Sequence, residues 1–275
     1  MTLETHDVLV VGLGGMGAAL ARRIRSCGHG IVAVDVAPGA RREWEHATGE
    51  TALADLSAVL WRRIGRVLVA VRSPDQAMAV LDHLAAPLAG TDTACYVITT
   101  LDEETARGLA RRRGGPERVI ELPISGGEAA ADSGALTAIA AGPVRDADIA
   151  FLTATIAEHT VVFDHYGEPT LAKLVNNVTG AYNALVAAQM LELGERLGLR
   201  PQRLYEVLLA SSGASWMAAA LPDLRGDLLA KDVELLARTR ELPEPSLSEP
   251  RRLAERLAEA ARRVGGSAQA QDQRP

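Results

Sequence analysis

The stretch HDVLVVGLGGMGAALARRIRSCGHGIVAVDVAP, His6 to Pro38, decides the fold. Asp7 to Val11 is a short apolar run suited to a strand buried on both faces. Gly12 to Gly17 form a turn, Ala18 to Cys27 have helical spacing, and Gly28 and Gly30 stop that helix before a second run, Ile31 to Asp35. The order is strand, turn, helix, strand, with glycines at 12, 14 and 17 and an acid ending the second strand about 20 residues on. Gly12 permits the tight turn, Gly14 lets the backbone approach a pyrophosphate, and Gly17 lets the helix pack on the strand. The N–H groups and dipole of that helix then face the phosphates. A chance glycine-rich turn would not bring the second strand and its acid with it. The stretch therefore predicts dinucleotide binding by Gly12, Leu13, Gly14, Gly15, Met16 and Gly17, with Asp35 on the ribose. A carboxylate at 35 accepts from a 2′-hydroxyl and repels a 2′-phosphate, which favours NAD and leaves NADP as the second option. Arg41 and Arg42 either answer such a phosphate or solvate a helix that begins after Pro38.

The alternation continues outward. Strands are expected at residues 66–71, 94–99 and 119–122, and helices at 75–85 and 103–113. The pattern predicts an α/β Rossmann domain, a doubly wound, mainly parallel sheet. Ligands on such sheets bind at the carboxyl ends of the strands, which places Val71, Ser73 and Thr100 on the cofactor crevice. The alternative for Thr100 is a helix cap. Next comes LPISGGEAAADSGALTAIAAG, Leu122 to Gly142. Ser125, Gly126 and Gly127 follow a strand directly, so consecutive N–H groups and a hydroxyl can converge on a carboxylate, unless this is an ordinary tight turn. A strand at 136–141, a helix at 144–154 and a strand near 160–163 complete the first domain, residues 1–164.

Residues 170–197, TLAKLVNNVTGAYNALVAAQMLELGERL, keep a period near 3.6 without proline, one helix about 40 Å long. Its apolar residues go most of the way round, so its middle is expected to be buried on every side. Lys173 and Asn177 share a face, with Asn176 alongside. A lysine among Leu, Val and Ala either snorkels to the surface or works as an acid–base group whose proton desolvation makes exchangeable. The helix opens an all-α C-terminal domain, residues 165–265, joined to the first by this long interdomain helix. Residues 266–275 read as a disordered tail.

Composition narrows the function. The chain of 275 residues is 48% hydrophobic with a net charge of −6 and no basic block, which indicates neither nucleic acid nor membrane as a partner. Cys27 and Cys95 form neither a disulfide framework nor a metal site, and a cytoplasmic location is expected.

These motifs together resemble the β-hydroxyacid dehydrogenases, the group of 3-hydroxyisobutyrate dehydrogenase and tartronate semialdehyde reductase. The likeness runs from Asp7 to Ala237 and rests on the glycine turn, PISGGEAAADSGALTAIAAG, GEPTLAKLVNN with the long helix, SSGASW at 211–216 and LLAKDVELLA at 228–237. The resemblance implies that Ser125, Gly126 and Gly127 hold a substrate carboxylate and that Lys173 is the general acid–base. It also implies that Asn177 and Ser125 assist Lys173, that Thr100 lies near the nicotinamide, and that Lys231 reaches the cofactor site. No metal is implied. The chain departs from the family pattern at Pro169, where a glycine is usual, and in lacking its Asp-x-Ser-Ala ending. The implied activity is hydride transfer between nicotinamide and a small 3-hydroxy acid or its semialdehyde or keto acid. An imine reductase or a non-catalytic nicotinamide sensor are the alternatives. The long helix cannot bury itself alone, so a homodimer or homotetramer is expected, with Trp216 as a packing residue.

Overall fold

The computed structural model describes residues 7–111, 117–224, 226–238 and 240–243. Those from Asp7 to Leu236 pack as one compact unit. The chain runs β1 (Asp7–Val11), α1 (Gly15–Ser26), β2 (Ile31–Val34), α2 (Pro38–Thr48), β3 (Ile64–Val69), α3 (Pro74–Leu84), β4 (Ala94–Val97), α4 (Glu103–Gly108) and β5 (Arg118–Glu121). It continues through β6 (Ile124–Ser125), α5 (Gly127–Ser133), β7 (Leu136–Ala140), α6 (Asp146–Thr155), β8 (Ala157–Val162), α7 (Glu168–Arg196), α8 (Pro201–Ala210), α9 (Trp216–Ala219) and α10 (Gly226–Ala237).

Five parallel strands form one sheet in the order β2-β1-β3-β4-β5. A second sheet, β6-β7-β8, is antiparallel between β6 and β7 and parallel between β7 and β8. An antiparallel bridge between Glu121 and Ala141 links the two. Because side chains alternate along a strand, each strand feeds two cores. Val8, Val10, Leu68, Tyr96 and Ile120 join one with Leu20 and Ile24 of α1. Leu9, Val11, Val67, Val69, Cys95 and Val97 join the other with Ala77, Leu81 and Leu84 of α3. Both faces are therefore covered, as the apolar runs predicted. Burial also pushes the Cys95 thiol up to about 12.

At the amino ends of β4 and β5 a buried polar knot holds the sheet to α6. Asp148, 2% exposed, accepts from Tyr96 Oη (2.6 Å) and from Arg145 N (2.8 Å), and it pairs with the Arg118 guanidinium. Arg118 also donates to the carbonyls of Asp92 (3.1 Å) and Pro143 (3.3 Å). A cavity of about 490 Å³ opens beside this knot, with Arg66, Asp92 and Arg118 in its wall, at the strand ends opposite those that carry the glycine turn.

Helix α7 begins two residues earlier than the sequence suggested. Gly167 precedes it with φ 91°, and Pro169 sits in the first turn, where no amide hydrogen is required. The departure at Pro169 is thus accommodated. The expectation of burial on every side does not hold within one chain. Leu174, Val178, Ala184 and Ala187 are buried, whereas Val175 is 55%, Leu185 53%, Val186 47% and Met190 43% exposed. Among the described residues α8, α9, α4 and β7 make the most extensive contacts with it, and its outward apolar face stays exposed within the single chain. Trp216, expected to pack, is 68% exposed at the start of α9. Helix α5 was not foreseen, since seven residues are too short for a 3.6 period to show. The part of the expected all-α domain beyond residue 243, and the tail expected at 266–275, lie outside the described residues.

Candidate active site

The glycine turn fits a dinucleotide. Gly12 has φ 98°, and a Cβ on it would collide with the Ala70 carbonyl and reach Val71 Cγ1 at 3.2 Å. A Cβ on Gly17 would strike the Gly12 carbonyl, so no side chain is tolerated where α1 crosses β1. Over Gly14 there is open space, the approach a pyrophosphate needs. Leu13 N donates to Asp35 Oδ2 and Ala37 N to Asp35 Oδ1, both at 2.7 Å. Those two bonds fix the carboxylate at the end of β2, with lone pairs remaining for ribose hydroxyls. Arg41 donates to the carbonyls of Asp35 (2.8 Å) and Val36 (3.0 Å), a role that neither sequence alternative contained.

Two loops meet at the carboxyl ends of the strands. Thr99 Oγ1 accepts from Val71 N (3.0 Å) and donates to Val71 O (2.9 Å), sewing the loop after β3 to the end of β4. Ser73 caps α3 by accepting from Gln76 N at 3.3 Å. Thr100 is not a cap: Asp102 caps α4, accepting from Thr105 N at 2.8 Å. The Thr100 hydroxyl receives a bond from Lys173 Nζ at 2.5 Å, across 73 residues of chain. Lysine 173 is therefore delivered to the end of β4, where the sequence placed the nicotinamide ribose.

Ser125 ends β6, and Gly126 and Gly127 open α5. Helix α5 packs on α1 through the Arg22–Asp132 ion pair (2.8 Å), and the Glu128 carboxylate lies against Gly15. The serine-glycine-glycine turn and the glycine turn after β1 are thus neighbours. Asn176 Nδ2 donates to Ser125 Oγ and to Asn177 Oδ1, both at 3.3 Å. Asn177 Nδ2 donates to Asp232 Oδ2 of α10 at 2.6 Å. Lys231 lies on α10 with its side chain outside the described residues.

The sequence reading missed Asp232, the neighbour of the lysine it singled out in Lys231-Asp232, and gave Asn176 no partner. It also passed over a compositional signal. The chain has two lysines against 27 arginines, and both lysines lie in these motifs. Arginine cannot lose its proton, whereas lysine can, so lysine is the cation for proton transfer.

Two family models match the chain: the NAD binding domain of 6-phosphogluconate dehydrogenase over residues 7–161, and the NAD-binding domain of NADP-dependent 3-hydroxyisobutyrate dehydrogenase over 167–272. The chain belongs to the 3-hydroxyisobutyrate dehydrogenase family. The L-threonate dehydrogenase of Cupriavidus necator is 29% identical over 78% of this chain and 73% of its own length. The human mitochondrial 3-hydroxyisobutyrate dehydrogenase is 29% identical over 75% of this chain, which spans 62% of that protein. A Mycobacterium tuberculosis 3-hydroxyisobutyrate dehydrogenase solved with L-serine shares the fold, with a TM-score of 0.70, 20% identity and coverage of 87% of this chain and 89% of that one. The family resemblance drawn from the motifs is borne out, and with it an NAD(P)-dependent oxidoreductase of the CH–OH class. Among the described residues no group of three or more His, Cys, Asp or Glu is placed to hold a metal. No described helix is long and apolar enough to cross a membrane.

Proposed function

We propose that the chain oxidises a small 3-hydroxy acid with NAD, or reduces the matching semialdehyde or keto acid, with Lys173 moving the proton. The observation that carries this reading is the 2.5 Å contact between Lys173 and Thr100 beside the serine-glycine-glycine turn. Residues up to 164 hold the cofactor, and residues 165–265 supply the helix that bears the lysine. When bound, nicotinamide accepts the hydride from the carbinol carbon. Ser125 with the amides of Gly126 and Gly127 fixes the substrate carboxylate and so aims the carbinol. Lys173 takes the hydroxyl proton in oxidation and returns it to the forming alkoxide in reduction. Asn177, held by Asp232, and Asn176, held on Ser125, keep the amides near the oxygen on which charge develops.

The test is nicotinamide absorbance with 3-hydroxyisobutyrate, L-threonate, L-serine and related acids in one direction, and with semialdehydes, keto acids and cyclic imines in the other. Turnover of a hydroxy acid supports the reading. Turnover of cyclic imines alone, or cofactor binding without any turnover, overturns it.

Asp35 makes NAD the preferred cofactor in this reading. Asp35→Ala removes the repulsion toward a 2′-phosphate and a charged acceptor for the 2′-hydroxyl. It is expected to narrow the NAD over NADP preference by about 10- to 100-fold, the range of a hydrogen bond to a charged group. A ratio of kcat/KM values left at its original level excludes Asp35 as the determinant.

The exposed apolar face of α7, with Val175, Leu185, Val186 and Met190 outward, is read as the contact with a second copy of the chain. Sedimentation equilibrium is expected to give two or four chain masses. A monomer at micromolar concentration overturns the dimer.

A further inference from the structure

Glu121 ends β5, four residues before Ser125, and is 1% exposed. A buried carboxylate is costly unless hydrogen-bonded. This one accepts from Gly167 N at 2.6 Å, from Thr170 N at 2.9 Å and from the Thr170 hydroxyl at 2.7 Å. All three donors belong to the first turn of α7, whose amide groups have no partner within the helix. Gly167, the residue at the cap position, has no side chain to satisfy them. Glu121 therefore performs, from across the fold, the work of a capping side chain, with the favourable end of the helix dipole facing its charge. Desolvation raises its pKa while Gly167, Thr170 and nearby Arg107 pull the other way. Its own backbone is fixed as well, since Glu121 N donates to Ala141 O and Ala141 N donates back to Glu121 O, both at 3.0 Å.

The geometry has a consequence one turn further along the helix. Lys173 follows Thr170 by three residues, so whatever sets the start of α7 sets the height and rotation at which the lysine leaves it. On the other side, the chain leaving Glu121 leads directly into Ser125. We propose that Glu121 is a positioning residue, an internal carboxylate cap that holds the Lys173 helix in register with the strand ends carrying Thr100 and Ser125. Tyr166 assists by donating to Val119 O at 2.6 Å, just ahead of the helix. The inference rests on the reading of Lys173 as the acid–base group.

Glu121→Gln keeps the shape but presents an amide hydrogen to one of the helix donors. Thr170→Val removes one of the three bonds and leaves the carboxylate in place. Each variant is compared with the unmodified chain by kcat, KM, NADH affinity by fluorescence, and the rate of reductive methylation of Lys173 resolved from Lys231 by mass spectrometry. For Glu121→Gln, kcat is expected to fall about tenfold or more, with NADH affinity unchanged, because misplacement of a reacting group by about 1 Å costs up to about 100-fold. Methylation of Lys173 rises several-fold while that of Lys231 does not change. Thr170→Val shifts both readouts in the same direction by less, and carries the test if Glu121→Gln does not fold. Wild-type kcat together with wild-type methylation in either folded variant overturns the clamp. So does a loss of activity that follows only the fraction of folded protein. If the unmodified chain turns over no hydroxy acid, the function reading falls, while the methylation rates still decide the clamp.

Discussion

Lys173→Ala is expected to lower kcat for hydroxy acid oxidation about 10³-fold, within the span of about 10²- to 10⁴-fold that a positioned acid–base group contributes. The side chain reaches the loop after β4 and bonds Thr100 at 2.5 Å, so in the proposed reaction its loss removes both the proton carrier and the cation beside the developing alkoxide. The glycine turn and Asp35 are untouched, and the affinity for NADH, read by fluorescence quenching, should remain at the level of the unmodified chain. Lys173→Arg restores the charge but not the exchangeable proton. It should recover little of the rate. Turnover by Lys173→Ala close to that of the unmodified chain would remove lysine from the mechanism and leave Thr100, Asn177 or solvent to carry the proton.

A second large effect concerns stability. Asp148→Ala takes from the Arg118 guanidinium, in a residue 8% exposed, its buried carboxylate and leaves it the more distant Asp92 carboxylate and two carbonyls, and it also strips Tyr96 Oη of its acceptor. Removing one partner of a buried pair costs about 3–5 kcal/mol, because the remaining charge has lost its compensation rather than because the pair was strong. Arg145 N loses its acceptor at the start of α6 in the same step. Chemical denaturation should show a lower midpoint with the slope unchanged, the product of the two falling by that amount. The double change Asp148→Leu with Arg118→Met, which leaves no charge behind, should cost less than the single one. A single variant within about 0.5 kcal/mol of the parent, the range of ordinary surface substitutions, would mean that water reaches Arg118 and solvates it.

Apart from the short β6 and α5, the alternation of strands and helices up to Val162 was legible because the strands of the main sheet are apolar runs and the helices between them are bounded by glycine, proline or a capping side chain. Asp7–Val11 was read to the residue, and the long helix to within two residues at its start and one at its end. The lysine and the serine-glycine-glycine turn announced themselves locally, as a charge in an apolar run and as consecutive glycines after a strand. Asp232 and Glu121 did not. Each is a single acid beside apolar neighbours, and its meaning lies in partners 55 and 46 to 49 residues away, which no local period encodes. What covers the outer face of the long helix is hidden for a related reason. A sequence shows that a surface is apolar, but not whether the same chain or another copy covers it.

The bonds that assemble the site close loops of 73, 51 and 55 residues, from Lys173 to Thr100, Asn176 to Ser125 and Asn177 to Asp232. Each closure costs entropy before any contact returns it, so such pairings come late in folding. The helices can be fully formed, and far-ultraviolet dichroism complete, while the lysine still lacks its threonine. In the proposed reading a refolding chain is expected to regain turnover in its final phase, and no fragment ending before α10 can hold the complete set.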